Sequence, residues 1–448
     1  MDNRNLDMTS GHPGKILIRF ALPLMLGNIF QQLYTVVDTA IVGQGVGMTA
    51  LAALGTVDWM NWMYLGIVQG FAQGFSVQLA QKFGMKDDDG LKRSLAWSIL
   101  LSIVVGLATM VVGQAVLGKL MVLLQVPQDL QPQAVLYSRI ILLGIPAMMY
   151  YNLTAAILRA VGDSKTPLIA MAVAAIFNII LDCVAVFWMK WGVAGAAIAT
   201  VLAQLLSGTL CALQIGKMSV LRVDRNHFAR DASLAGKLMG LGWPVALQNI
   251  VISVGGMAVQ SVVNGFDTAF IAGFTSTNKL YGLLEIAALS YGYAVTTYTG
   301  QNFGAMRYSR IKWGMRWAVG ISVATSVVIG GLMLVFGRSI TMLFISAESA
   351  QLAAAAGDTA YYYLSVMSVC LPILYLLYAY RSALQGMGNT RIPLLSGVVE
   401  FVMRVGLALI IGMTGHQTGI FYAEVFAWTG AAVLLAASYY YNANKLKF

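Results

Sequence analysis

"LRAVGDSKTP", Leu158 to Pro167, has a counterpart in "LQGMGNTRIP", Leu384 to Pro393. Each is a short polar turn between long apolar runs. In the first, Gly162 is expected to end one helix, Ser164 or Thr166 to cap the next, and Pro167 to sit in its first turn. A similar displacement relates "QKFGMKDDDGLKRSLAW" (81–97) to "QNFGAMRYSRIKWGMRW" (301–317), and "LPLMLGN" (22–28) to "WPVALQN" (243–249). The chain is read as an internal duplication with halves 1–220 and 221–448, joined by a basic linker from Gly216 to Lys237.

Composition sets the solvent of those halves. Of 448 residues, 58% are hydrophobic and 10% are charged, where a soluble domain carries about 25% charged residues. An integral membrane protein is expected. A span needs about 20 mostly apolar residues, and twelve stretches qualify: roughly 16–42, 52–80, 94–117, 134–160, 167–188, 192–214, 238–263, 279–300, 314–337, 355–384, 392–413 and 417–441. Pro23, Pro146, Pro244 and Pro372 fall inside spans, where each removes a helix hydrogen bond.

Six spans per half is an even number, so both halves have the same orientation. The repeats are parallel. The formal charge of +10 has the same origin. Alternate loops collect Arg4, Lys15 and Arg19; Lys82, Lys86, Lys92 and Arg93; Arg159 and Lys165; then the linker bases, Arg307 to Arg316, Arg381 and Arg391, and finally Lys445 and Lys447. The opposite loops hold only Lys119, Lys190, Lys279 and Arg338. By the positive-inside rule both termini are cytoplasmic, and no nucleic-acid partner is needed to explain the basic surplus. Lipids and a small-molecule substrate are the partners expected of such a chain, and two halves in one chain make a monomer sufficient.

Polar residues inside spans are costly and mark ion or substrate paths by default. Asp38 is the first. Gln31, Tyr34 and Asp38 share one helix face, as do Asn178 and Asp182; Thr200 lies at similar depth in the following span. Two carboxylates, an amide and a hydroxyl near the outer boundary offer oxygen ligands to Na⁺, or one shared proton. Alone, Asp38 also reads as a helix-end aspartate that reaches water, and Asn178 as a helix–helix hydrogen bond. Glu400 and Arg404, one turn apart, read as a local ion pair with a structural role or as a second polar site. Glu285 is either a site residue or a partner for Arg404. Aromatics and methionines such as Trp59, Met60, Trp62 and Met63, with Tyr150, Tyr151 and Asn152, serve packing or line a cavity that takes organic cations.

Other chemistries lack their residues. The three cysteines, Cys183, Cys211 and Cys370, give no disulfide or metal framework. "VGDSKTP" lacks phosphate-loop spacing and no nucleotide-binding motif follows. His12, His227 and His416 form no cluster, so an enzyme is not expected, nor is a cofactor beyond H⁺ or Na⁺ as coupling ion.

"LPLMLGNIFQQLYTVVDTAIVGQGVG" resembles the first helix of the multidrug and toxic compound extrusion (MATE) transporters. "LRAVGDSKTP" and "GQNFGA" (300–305) resemble two of their cytoplasmic loops, and the likeness spans nearly the whole chain. The resemblance implies an all-α fold of twelve transmembrane helices in two six-helix lobes forming a V, in a prokaryotic plasma membrane. It implies efflux of organic cations or amphipathic drugs, driven by H⁺ or Na⁺ as the lobes rock. By motif it places cation or proton coupling at Asp38, Asn178, Asp182 and Thr200, and it sets Gln31, Tyr34 and Asn152 among the substrate contacts, with Met63 of span 2 a further candidate lining residue. Some members carry a helix-7 glutamate and a helix-10 aspartate in the C-terminal lobe. Here span 7 has no acid and span 10 only Asp358, a pattern similar to the DinF-like or archaeal-type branch. A lipid-linked precursor flippase of the same superfamily is the alternative; it would be expected to show a strongly cationic cavity, and the sequence offers only Arg139 and Arg404 inside spans.

Overall fold

The computed structural model describes residues 6–124, 126–342 and 350–445; Arg4 and Lys447 of the orientation pattern lie outside them. Thirteen α-helices follow in order: α1 Pro13–Gly45, α2 Met48–Met85, α3 Asp88–Leu123, α4 Gln131–Leu143, α5 Ile145–Ala160, α6 Lys165–Asp182, α7 Gly192–Lys217, α8 Ala232–Val263, α9 Thr268–Gly304, α10 Tyr308–Met342, α11 Ala350–Gly386, α12 Arg391–Thr414 and α13 Phe421–Lys445. The expected fourth span is the broken one. Gly144 and Pro146 interrupt it, and α4 and α5 meet at 46°. Pro23, Pro244 and Pro372 instead stay within continuous α1, α8 and α11.

Among the described residues, nine helices are long and apolar enough to cross a membrane, and the α4–α5 pair makes a tenth. The remaining two expected spans are α2 and α9. At 38 and 37 residues they are long enough for about 55 Å of helix, yet fall short in apolarity. They are equivalent in the duplication and carry Gln69 and Glu285 near their midpoints, with Asp58 and Asn61, or Asn278, in their first halves. Polarity at that depth is a functional signal and no argument against a span.

The chain forms two compact units. The first comprises Leu22–Leu247 with the described part of Met1–Met8. Within it α5 packs on α2, α3 and α7, and α6 packs on α7. The second comprises Thr9–Ala21 and Gln248–Phe448; there α11 packs on α9, α10 and α13, and α12 on α13. The packing pattern repeats as the sequence does. Each unit also grips the start of a helix it does not continue. In the first, Trp97 Nε1 donates to Ala229 O (3.2 Å) and Arg93 pairs with Asp231 (3.1 Å), which fixes the approach to α8. In the second, Trp313 and Trp317 hold His12 edge-on (centroids 5.3 and 4.7 Å), and Arg307 donates to Thr9 O (2.5 Å).

The quoted turns behave alike with one difference from expectation. Gly162 and Gly388 both take positive φ, +89° and +86°, the left-handed conformation that glycine adopts without strain. Neither Ser164 nor Thr166 caps α6. Asp163, fully buried, does so, accepting from the backbone N–H of Lys165 and Thr166 (3.0 Å each) and from the Thr166 hydroxyl (2.6 Å). A carboxylate here also suits the positive end of the helix dipole. At the start of α3, Asp87 caps Gly90 N–H (2.9 Å) and pairs with Lys82 (2.6 Å), and these contacts hold its carboxyl below the ordinary range.

Candidate functional site

The first unit gathers its intramembrane acids around α1 and α6. Asp38 lies seven residues before the end of α1, about 10 Å of helix, and is 9% exposed. It is therefore an interior residue rather than a helix-end aspartate in water. Asp182 and Asn178 are fully buried on one face of α6. Directly after Asp182 the helix widens into a π-turn, Cys183–Trp188, a feature that recurs at functional sites. That turn packs on the end of α1, where a Cβ at Gly45 would come within 2.4 Å of Val186. Glycine at position 45 thus lets the two helices close on each other.

The resulting constellation is polar and incomplete. The Asp38 and Asp182 carboxyls approach within hydrogen-bonding reach of each other. No donor stands between them: both Asp182 oxygens, Asp38 Oδ1 and both amide atoms of Asn178 are buried without a hydrogen-bond partner. Groups of this kind nearly always find partners in folded proteins. Two facing carboxylates become satisfied by one shared proton, or by a cation that both ligate. Thr200, half-buried, donates to Ala196 O of its own helix (3.1 Å).

Around the pair, Tyr34 lies near Gln31 and Gln204, and Gln204 Oε1 is buried without a hydrogen-bond partner. Tyr137 of α4 packs with Val42, Ala50, Val193 and Ala196 on one side and with the α2 cluster on the other. Asp38, Asp58, Tyr34 and Asp182 all lie close enough to act on it electrostatically. Met63 packs on that α2 cluster, and Asn152 donates to Met148 O (2.8 Å) on α5. Gln204, Tyr137 and Asp58 were not singled out in the sequence. An aspartate inside the expected span 52–80 was the available signal for Asp58.

In the second unit the expected Glu400–Arg404 pair does not form. Arg404 reaches α13 and pairs with Glu424 (2.7 Å), while Glu400 pairs with Arg381 of α11. The two α12 side chains leave toward opposite neighbours, which i, i+4 spacing does not reveal. Arg381, assigned to a cytoplasmic loop from sequence, is buried because α11 runs on to Gly386; in the amide orientation that satisfies both groups, Gln248 Oε1 accepts from its Nε and Nη1 (2.9 and 3.2 Å). Glu285 is not a partner of Arg404 either. It accepts from the Tyr378 hydroxyl, and the Arg381 guanidinium lies 5.7 Å from the centre of the same tyrosine ring.

Comparison with known proteins agrees with this architecture. The chain is 29% identical to the probable multidrug resistance protein YpnP of Bacillus subtilis over 347 residues, 77% of each chain. It is 25% identical to DNA damage-inducible protein F of Escherichia coli, over 75% of this chain and 74% of that one. A solved outward-facing multidrug resistance MATE family transporter of the MOP superfamily superposes with TM-score 0.92 at 22% identity, covering 100% of both chains. The MatE family profile matches residues 23–184 and 244–410, each segment lying within one copy of the duplication. With more than half its length matched, this all-α membrane chain belongs to the MatE family of transporters.

Proposed function

We propose that the protein is a secondary active efflux transporter that exchanges organic cations or amphipathic drugs for H⁺ or Na⁺ across the cell membrane, with both termini cytoplasmic. The observation that carries the reading is the facing Asp38–Asp182 pair with Asn178, buried and unsatisfied in the first unit. Empty, the pair is a repelling dianion in a low-dielectric interior. Bound to one proton or one Na⁺, it carries a single negative charge and is satisfied. An ion gradient drives export when ion and drug favour different states of the two lobes. Names of relatives as multidrug resistance proteins support the substrate class.

Dye flux tests it. Proteoliposomes under an imposed pH or Na⁺ gradient should drive ethidium transport by the native chain. Asp38→Asn and Asp182→Asn should lose driven flux while still binding ethidium, and the effective gradient names the ion. Intact driven flux in both variants would move coupling out of the first unit, to Glu285 or Glu400. The flippase reading is disfavoured by the buried arginines of the second unit, since Arg381 and Arg404 are each held by a carboxylate and offer little to a pyrophosphate.

A further inference from the structure

The start of α3 and the start of α10 are the same element in the two copies, and they are covered differently. The register that pairs "QKFG" with "QNFG" sets Arg93 opposite Trp313, Ala96 opposite Arg316 and Trp97 opposite Trp317. In the first unit the fold takes up all three positions. Arg93 pairs with Asp231, Trp97 donates to Ala229 O, and Ala96 is fully buried. In the second unit other residues grip the chain. Arg307 donates to Thr9 O, and Arg310 donates to Gly11 O (3.0 Å) and Asn302 Oδ1 (3.1 Å). Trp313 and Trp317 seat His12 and stay 41% exposed each. Arg316 is exposed and, among the described residues, forms no hydrogen bond or ion pair through its side chain. The buried alanine at position 96 shows that the scaffold needs no charge there.

The uncovered groups have one chemistry. Trp313, Arg316, Trp317 and Gly320 are spaced i, i+3, i+4 and i+7, on one face of α10. Neither indole N–H has a hydrogen-bond partner among the described residues. The rings are fixed in place, since His12 stands edge-on to both and a Cβ at Gly14 would come within 2.8 Å of Trp317. The surrounding charge is of one sign. Residues 307–317 carry Arg307, Arg310, Lys312 and Arg316, residues 9–20 add Lys15 and Arg19, and neither stretch contains an acid. Farther along the same face, Gly320 has open space around it, and Val327 and Val328 are exposed. Those valines lie about 15 Å from Trp317 along the helix, about half the thickness of a bilayer's hydrocarbon core. A guanidinium and two indole N–H groups suit the oxygens of a phosphate, and the apolar face beyond them suits a hydrocarbon chain. A soluble anion engages only the first; a phospholipid engages both.

We propose that Arg316, Trp313 and Trp317 bind the phosphate of an anionic glycerophospholipid whose acyl chain lies along α10 past Gly320. The site faces the side that the proposed orientation makes cytoplasmic, where anionic lipid attracts bases and indoles settle at headgroup level. It ties the second unit to that leaflet beside the start of α1. It is separate from the Asp38–Asp182 pair and stands whether or not the export reading holds.

Titration of purified native protein in detergent micelles with lipid brominated in the upper acyl chain, read by quenching of tryptophan fluorescence, tests it. Trp313→Phe combined with Trp317→Phe should remove one saturable part of the quenching, which is the signal of the site. For that part, Arg316→Gln should raise the Kd of brominated phosphatidylglycerol by about fivefold and leave that of brominated phosphatidylcholine unchanged. Arg316→Lys, which keeps the charge, should stay within about twofold of native. An unchanged phosphatidylglycerol Kd in Arg316→Gln overturns the site. Equal losses for the two lipids overturn it as well, because the patch is then an interfacial contact without choice of headgroup. Inorganic phosphate that displaces phosphatidylglycerol at equal concentration would make it a site for a free anion and overturn the lipid. A double tryptophan variant that keeps all of the saturable quenching places the lipid elsewhere and overturns it too.

Discussion

Asn178 of α6 and Arg404 of α12 occupy the same register of the duplicated fold, and the groups around them differ in kind. Carrying the pairing of Pro167 with Pro393 down the two helices sets Arg404 where the first unit has Asn178, and Ala408 where it has Asp182. Likewise Val259 stands where α1 has Asp38. The second unit holds the buried Glu400 and the half-buried Glu424 each against a guanidinium, and the half-buried Glu285 against a phenol. The first buries two carboxylates and an amide with nothing between them. One scaffold thus holds a set of charges that satisfies itself and a set whose buried polar atoms are left without hydrogen-bond partners. Charges that need no ligand can stay fixed through a transport cycle, whereas charges that lack one couple the fold to what binds.

The sharpest way to break this contrast is to neutralise one charge in each unit. Asp182→Asn should lose all gradient-driven flux and yet melt no lower than the native protein in detergent, because it removes repulsion from a buried like-charged pair. Arg404→Met should do the reverse in sign. It strands Glu424 in the interior, and breaking a buried pair by removing one partner costs about 3–5 kcal/mol. Arg404→Met combined with Glu424→Leu should recover most of that loss. A destabilised Asp182→Asn, or a fully stable Arg404→Met, would mean that the two units do not differ in the way described.

A smaller effect separates Glu285 from the ion pairs. Its bond from Tyr378 is a hydrogen bond to an acid, and Tyr378→Phe should cost about 1.5–3 kcal/mol if the carboxylate is ionised. Stability unchanged by Tyr378→Phe would show that Glu285 draws its support from elsewhere. Denaturant or thermal unfolding in micelles reads either result.

The sequence carried the architecture well, since a duplication and hydropathy are properties of long windows. Helix limits ran past the expected spans at most ends because helices extend beyond the apolar core into polar turns, as α2 does to Met85. Side-chain partners were less legible. Glu400 and Arg404 look paired in any one-dimensional reading, and only the packing of α12 between α11 and α13 shows that each turns away from the other. Arg381 looked cytoplasmic since it precedes a polar turn, and Glu424 drew no attention near a helix start. The Asp38, Asn178 and Asp182 set was visible because periodicity put the latter two on one face and depth matched the third to them.

The quoted turns offer the finest test of the two copies. Asp163 and Asn389 hold the same position after Gly162 and Gly388. Asp163 is fully buried and accepts three hydrogen bonds at 3.0 Å or less. Asn389 accepts one, from Ile392 N–H at 3.3 Å, and lacks the charge that complements the helix N-terminus. Asp163→Ala should therefore cost about 1–2 kcal/mol and Asn389→Ala about 0.5 kcal/mol, by the same unfolding assay. Asp163→Asn should fall between them, keeping an acceptor while losing the charge. Equal losses at the two positions would show that the turn's geometry, set by the glycines, governs the caps, and that the carboxylate adds nothing to the α6 start from which Asn178 and Asp182 are placed.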